Sequence, residues 1–69
     1  MKNELEEKKQ TMFKTTLNLF KKYDDTTDTD RAMKYWCEYK GLIKVILIMG
    51  WGREYIDYCL DNGWNVTLP

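Results

Sequence analysis

The segment from Asp28 to Met49 limits what this chain can become more than any other part of it. From Asp30 onward Lys34, Glu38, Gly41 and Lys44 mark a narrow polar stripe, and Ala32, Trp36, Tyr39, Ile43 and Ile46 lie on the opposite side at the 3.6-residue period of an α-helix. Beyond Gly41 the pattern changes. Leu42-Ile43-Lys44-Val45-Ile46-Leu47-Ile48-Met49 is apolar nearly all round and rich in β-branched residues, so it also reads as a buried strand. The only partner for such a strand is Trp64-Asn65-Val66-Thr67-Leu68, and two isolated strands are rarely stable. The spacing therefore predicts one helix over residues 28–49, capped by Thr27 or Asp28.

A helix this greasy needs cover, and the flanking segments are built to supply it. Upstream, Leu5, Met12, Thr16, Leu19, Phe20 and Tyr23 recur at helical spacing, flanked by Phe13 and Leu17. Asn3 and Glu6 form a capping box and Lys21 and Lys22 close the last turn, which predicts a helix over residues 4–22. Its first two turns hold only Leu5 as an apolar residue and are expected to fray or project beyond the core. Downstream, Gly50-Trp51-Gly52 permits a tight reversal, and Tyr55, Ile56, Cys59 and Leu60 line a third helix over residues 52–62. Asn62-Gly63 reads as a left-handed C-cap with Trp64 folding back, followed by a short extended tail. The expected fold is all-α: one small three-helix domain spanning residues 1–69.

Several function classes lose ground on composition. The chain has no histidine, which removes the commonest general base and most triad and zinc chemistry. Glu54, Asp57 and Asp61 are spaced one turn apart, but nothing apolar need bury them, so a solvated helix face is the expected role. Cys37 and Cys59 sit among apolar neighbours, which predicts buried, inert thiols, and they lack metal-binding spacing. In a helical hairpin about Trp51 they would lie ~20 Å and ~12 Å from the turn, too mismatched to bridge. The aspartates between Asp24 and Asp30 fail the calcium-loop test, because counting from Asp25 puts Asp30 and Trp36 where Gly and Glu are needed. No catalysis, metal or cofactor is expected. The charged start Met1-Lys2-Asn3-Glu4 is unlike a secretory signal and the longest apolar run is too short for a membrane span, so the expected setting is the cytoplasm, without membrane insertion.

What remains is binding. Ten aromatic side chains in 69 residues exceed what so small a core easily seals. Cys37, Gly41, Val45 and Ile48 line a strip of the second helix away from its main core face. If helices 1 and 3 pack on opposite sides of helix 2, with Gly41 allowing close approach, that strip is simply core. Otherwise it is a contact surface for a protein partner, a second copy being the first expectation, with Trp51, Tyr55, Tyr58 and Trp64 as candidate rings around it. A small self-associating interaction module is therefore expected. Its size and its Lys-, Asn- and Tyr-rich composition suit an accessory protein of a phage or mobile element, of the kind that inhibits a host protein by occupying its surface, as anti-CRISPR proteins do. The alternative is a small helix-turn-helix-like DNA-binding regulator. Nucleic acid is the weaker expectation, because net charge is zero and the would-be recognition helix carries Glu54, Asp57 and Asp61.

Overall fold

The computed structural model describes residues 4–68 and contains three helices and, among those residues, no strand: α1 (Glu4–Asp25), α2 (Thr29–Ile48) and α3 (Gly52–Asp61). The stretch that could have been a strand, from Leu42 onward, is the second half of α2. The Asn3 cap falls outside the described residues. Among the two candidate caps for α2, Asp28 holds the position: its carboxylate accepts from the backbone N–H groups of Asp30 at 3.0 Å and Arg31 at 3.4 Å.

α1 runs three residues past the expected end at Lys22. The Thr26 N–H still donates to the Lys22 carbonyl at 3.1 Å, and Tyr23 is held between Phe20 and Trp36, 5.1 Å from the latter. Ring contacts to α2 thus carry the helix through two aspartates that propensity alone would place in a turn. The opposite end is tied down too. Lys9, in the stretch expected to project, reaches α3, where it ion-pairs with Glu54 and lies 5.6 Å from the Trp51 ring centre.

Two glycines set the direction of the chain after α2 and α3. Gly50 has φ +75° and Gly63 φ +82°, the left-handed region in which a Cβ is penalised. At each, the two hydrogen bonds of a Schellman motif are present: Gly50 N–H to Leu47 O and Trp51 N–H to Ile46 O, then Gly63 N–H to Leu60 O and Trp64 N–H to Cys59 O. The carbonyls at both helix ends are thereby satisfied, and the chain reverses without a long loop.

The core is made of Phe13 and Leu17 from α1, Tyr39, Ile43 and Ile46 from α2, Tyr55 and Cys59 from α3, and Val66 from the segment that follows. Thr16 is also buried, its hydroxyl donating to the Met12 carbonyl at 2.6 Å. Phe13 meets the rings of Trp51, Tyr55 and Tyr58 at 6.2, 5.6 and 5.7 Å. α1 and α3 therefore pack against each other on one side of α2. They do not sandwich it.

Replacing Gly50 by Ala should cost about 1–2 kcal/mol, since the turn holds this residue at a positive φ that Cβ disfavours. A thermal midpoint lowered by about 4–16 °C, with unchanged far-UV circular dichroism at low temperature, is the expected result.

Candidate interaction surface

The packing of α1 and α3 on one side leaves α2 with two unlike faces. Tyr39, Ile43 and Ile46 are sealed, whereas Cys37, Gly41, Val45 and Ile48 on the far side are all exposed. Ile48 is 82% exposed and Val45 41%, and Leu47 and Met49 beside them are also open to solvent. So the sequence-selected strip exists as a continuous outer face. Cys37, Lys40, Gly41 and Lys44 line a shallow recess along it.

Two expectations about this face need correction. Cys37 is exposed, not buried, because its apolar sequence neighbour Trp36 points toward Tyr39 and Tyr23 on the inner side. Gly41 is not a site of close helix approach within the chain, since a Cβ built there meets nothing within 4 Å. The close approach occurs at Gly52, where a Cβ would lie 3.0 Å from Leu47 Cδ2 and 3.2 Å from Leu68 Cδ1.

The four candidate rings do not join the strip. Tyr55 has no exposed surface and belongs to the core, which removes it from any contact surface in this state. Trp51 and Tyr58 are half-buried against Phe13, and Trp64 packs edge-on to Phe20 at 5.9 Å beneath the Lys21 ammonium. These rings are spent on docking α3 and its following segment to α1. The number of aromatics is plain in the sequence, but no local pattern says which helix each ring faces.

A second surface lies elsewhere on the domain. Between α1 and α2, on the side away from Phe13, an open groove is lined by Glu4, Glu7, Lys8, Thr11, Met12, Thr15 and Leu42. Leu42 lies one turn before Val45, so the groove opens toward the outer strip. Met12 was legible as part of an apolar face. That it packs only partly against the core and leaves one side lining an open groove was not.

The charges around these surfaces are mostly solvated. Lys9 is the exception: hydrogen bonding to Glu54, and then to Glu6, holds its ammonium protonated to higher pH than an ordinary lysine. Glu6 is pushed the other way by its bonds from Lys9 and Gln10. Inside the core the Tyr55 hydroxyl donates to the Tyr39 hydroxyl at 3.4 Å. Burial raises both phenols above the usual tyrosine range, Tyr55 by far the more, and it also raises the Cys59 thiol. A thiol held protonated and out of water is a poor nucleophile. No three His, Cys, Asp or Glu side chains converge as a metal site among the described residues, and no described helix is long and apolar enough to cross a membrane.

The architecture is thus a three-helix domain with one helix face left open. No protein-family model, curated protein or solved structure matches the chain.

Two measurements follow from these environments. Gly41→Ala should stabilise the isolated chain by about 0.5–1 kcal/mol, because the site is a spacious helix interior, and the thermal midpoint should rise by a few degrees. Above pH 9–10 the unfolded chain releases protons from its cysteine and tyrosines that the folded core still holds at Tyr39, Tyr55 and Cys59. Stability should then be level near neutrality and fall as pH rises past about 9. Thermal melts between pH 7 and 11 check it, and Tyr55→Phe should flatten the alkaline fall.

Proposed function

We propose that this protein is a non-catalytic interaction module that binds protein through the outer face of α2, with self-association as its first use. The observation that carries the reading is the exposure of Ile48 and Val45, with Leu47 and Met49 also open nearby, on a helix whose opposite side supplies the buried Tyr39, Ile43 and Ile46. Open apolar side chains gathered on one rigid element, edged by Lys34, Lys40 and Lys44, have the composition of a contact patch with a polar rim. Covering them would also add stability that a core of this size lacks. The same face would serve an accessory protein that acts by covering the surface of a host protein, the anti-CRISPR-like mode expected from size and composition.

A second reading, a small DNA-binding regulator, draws on the lysines of α2 and on the α2–turn–α3 order. Against it, α3 exposes Glu54, Asp57 and Asp61 beside Arg53, an acidic surface that phosphates would repel. Binding to duplex DNA that weakens steeply between low and physiological salt would favour the regulator.

The test for the module is sedimentation of the full chain from about 10 µM to about 1 mM, a range in which weak association is visible. Wild type should shift from monomer to dimer with concentration. Ile48→Asp should remove the shift while changing stability by less than about 0.5 kcal/mol, since the side chain is solvated in the monomer. Wild type that remains monomeric throughout would count against self-association.

A further inference from the structure

We infer that the outer face of α2 receives the outer face of α3 from a second copy of the chain, the two helices running in the same direction. This deepens the reading of the α2 face as a self-association surface and rests on it.

α3 has an open face of its own. Tyr55 and Cys59 are buried, whereas Arg53, Asp57, Leu60 and Asp61 are exposed and Ile56 is half-buried. Leu60 is 52% exposed, with Asp57 and Asp61 as its charged neighbours and no basic residue in the last turn of the helix. On α2 the sign is reversed: Val45 and Ile48 stand beside Lys40 and Lys44. None of Lys40, Lys44, Asp57 and Asp61 has an ion-pair partner among the described residues. Each face thus holds open apolar side chains edged by the charge that the other lacks. Antiparallel pairing of two α2 faces would instead lay the Lys40 and Lys44 edges of both copies together, so α3 is the surface of this chain that fits.

Spacing then selects the orientation. At about 100° per residue, Lys44 and Lys40 lie about 60° and 100° to one side of Gly41, and Val45 and Glu38 about 40° and 60° to the other. Around α3 the aspartates take the opposite hand: Asp57 and Asp61 lie about 40° and 80° from Arg53 on the side that Val45 and Glu38 occupy on α2, and Leu60 and Ile56 lie about 20° and 60° on the other. Two helices that face each other and run in the same direction bring unlike hands together, which sets the aspartates along the lysines. Run oppositely, they would set the aspartates along Glu38. An offset of fifteen residues makes Val45 level with Leu60 of the partner subunit, Gly41 with Ile56 of the partner subunit and Glu38 with Arg53 of the partner subunit. Lys44 then falls midway between Asp57 of the partner subunit and Asp61 of the partner subunit, and no like charges come level. Val45 and Ile48, about one turn apart, cover Leu60 of the partner subunit, and the missing Cβ at Gly41, where nothing lies within 4 Å, leaves room for the isoleucine. Lys44 also offsets the two carboxyl helix ends that this direction brings together. The contact joins two different surfaces, so it is heterologous, and its charged edge makes it salt-sensitive.

Mixing two single variants of the full chain tests the contact, with association read by sedimentation equilibrium at low salt. Ile48→Asp spoils the α2 surface and Leu60→Asp the α3 surface, and each side chain is exposed in the monomer, so both variants should fold as wild type does. Alone, each should stay monomeric up to about 1 mM. In an equimolar mixture the intact α3 of the first should dock on the intact α2 of the second, giving a heterodimer that stops at two copies with a dissociation constant within about tenfold of wild type. Both variants carry a net charge of −1, one aspartate added to a neutral chain, so general attraction cannot draw them together. Charge exchange tests the direction: Glu38→Arg and Arg53→Glu should each weaken wild-type association about threefold, and the doubly exchanged chain should recover it, a rescue that a loss of folding cannot produce. Association that survives Leu60→Asp, or a mixture no more associated than its components, overturns this contact while leaving α2 as a self-association surface in another geometry. Exchange without recovery overturns the shared direction of the helices. A wild-type chain that never associates overturns both the contact and the reading beneath it.

Discussion

The Phe13 ring is the contact on which the rest of this structure depends. One side chain of α1 meets three rings, that of Trp51 just before α3 and those of Tyr55 and Tyr58 within it, and Lys9 one turn earlier adds an ion pair to Glu54. Edge and tilted aromatic contacts of this kind contribute roughly 0.5–1.5 kcal/mol each beyond the area they bury. Together they hold α1 and α3 to each other. Both must then lie on the same side of α2, and the opposite side is left without an internal partner.

The glycine turns make that contact reachable. The Schellman motif at Gly50 turns the chain at once into α3, and Gly52 lets the start of α3 come close to Leu47 and Leu68. The motif at Gly63 repeats the device, bringing Trp64 against Phe20 and Val66 into the core. Backbone conformations open mainly to glycine thus decide where large side chains arrive. Packing then follows from direction.

The interior is less apolar than its size suggests, yet its polar atoms are matched. Tyr39 and Tyr55 share a hydrogen bond at the centre, Thr16 bonds back to its own helix, and no buried side-chain polar atom among the described residues lacks a partner. A satisfied polar pair costs little, and an unsatisfied one would cost about 1–3 kcal/mol, so Tyr39 and Tyr55 must meet in one arrangement. This links α2 to α3 more specifically than aliphatic contacts alone. The result is a rigid outer face on α2, presented by a core that admits few alternatives.

Element type and approximate extent were legible in the sequence because they depend on local chemistry. The 3.6-residue period, Asp28 as a cap and the glycines at positions 50 and 63 each act within a few residues of their own position. The existence of the strip from Cys37 to Ile48 was legible for the same reason, since a helix fixes which residues share a face. Whether that strip would be core or surface was not. Its exposure, the release of Cys37 to solvent, the burial of Tyr55 and the extension of α1 to Asp25 all follow from which way the rings of α3 turn. That choice belongs to contacts between residues about forty positions apart, such as Phe13 and Tyr55, and only the folded chain brings them together.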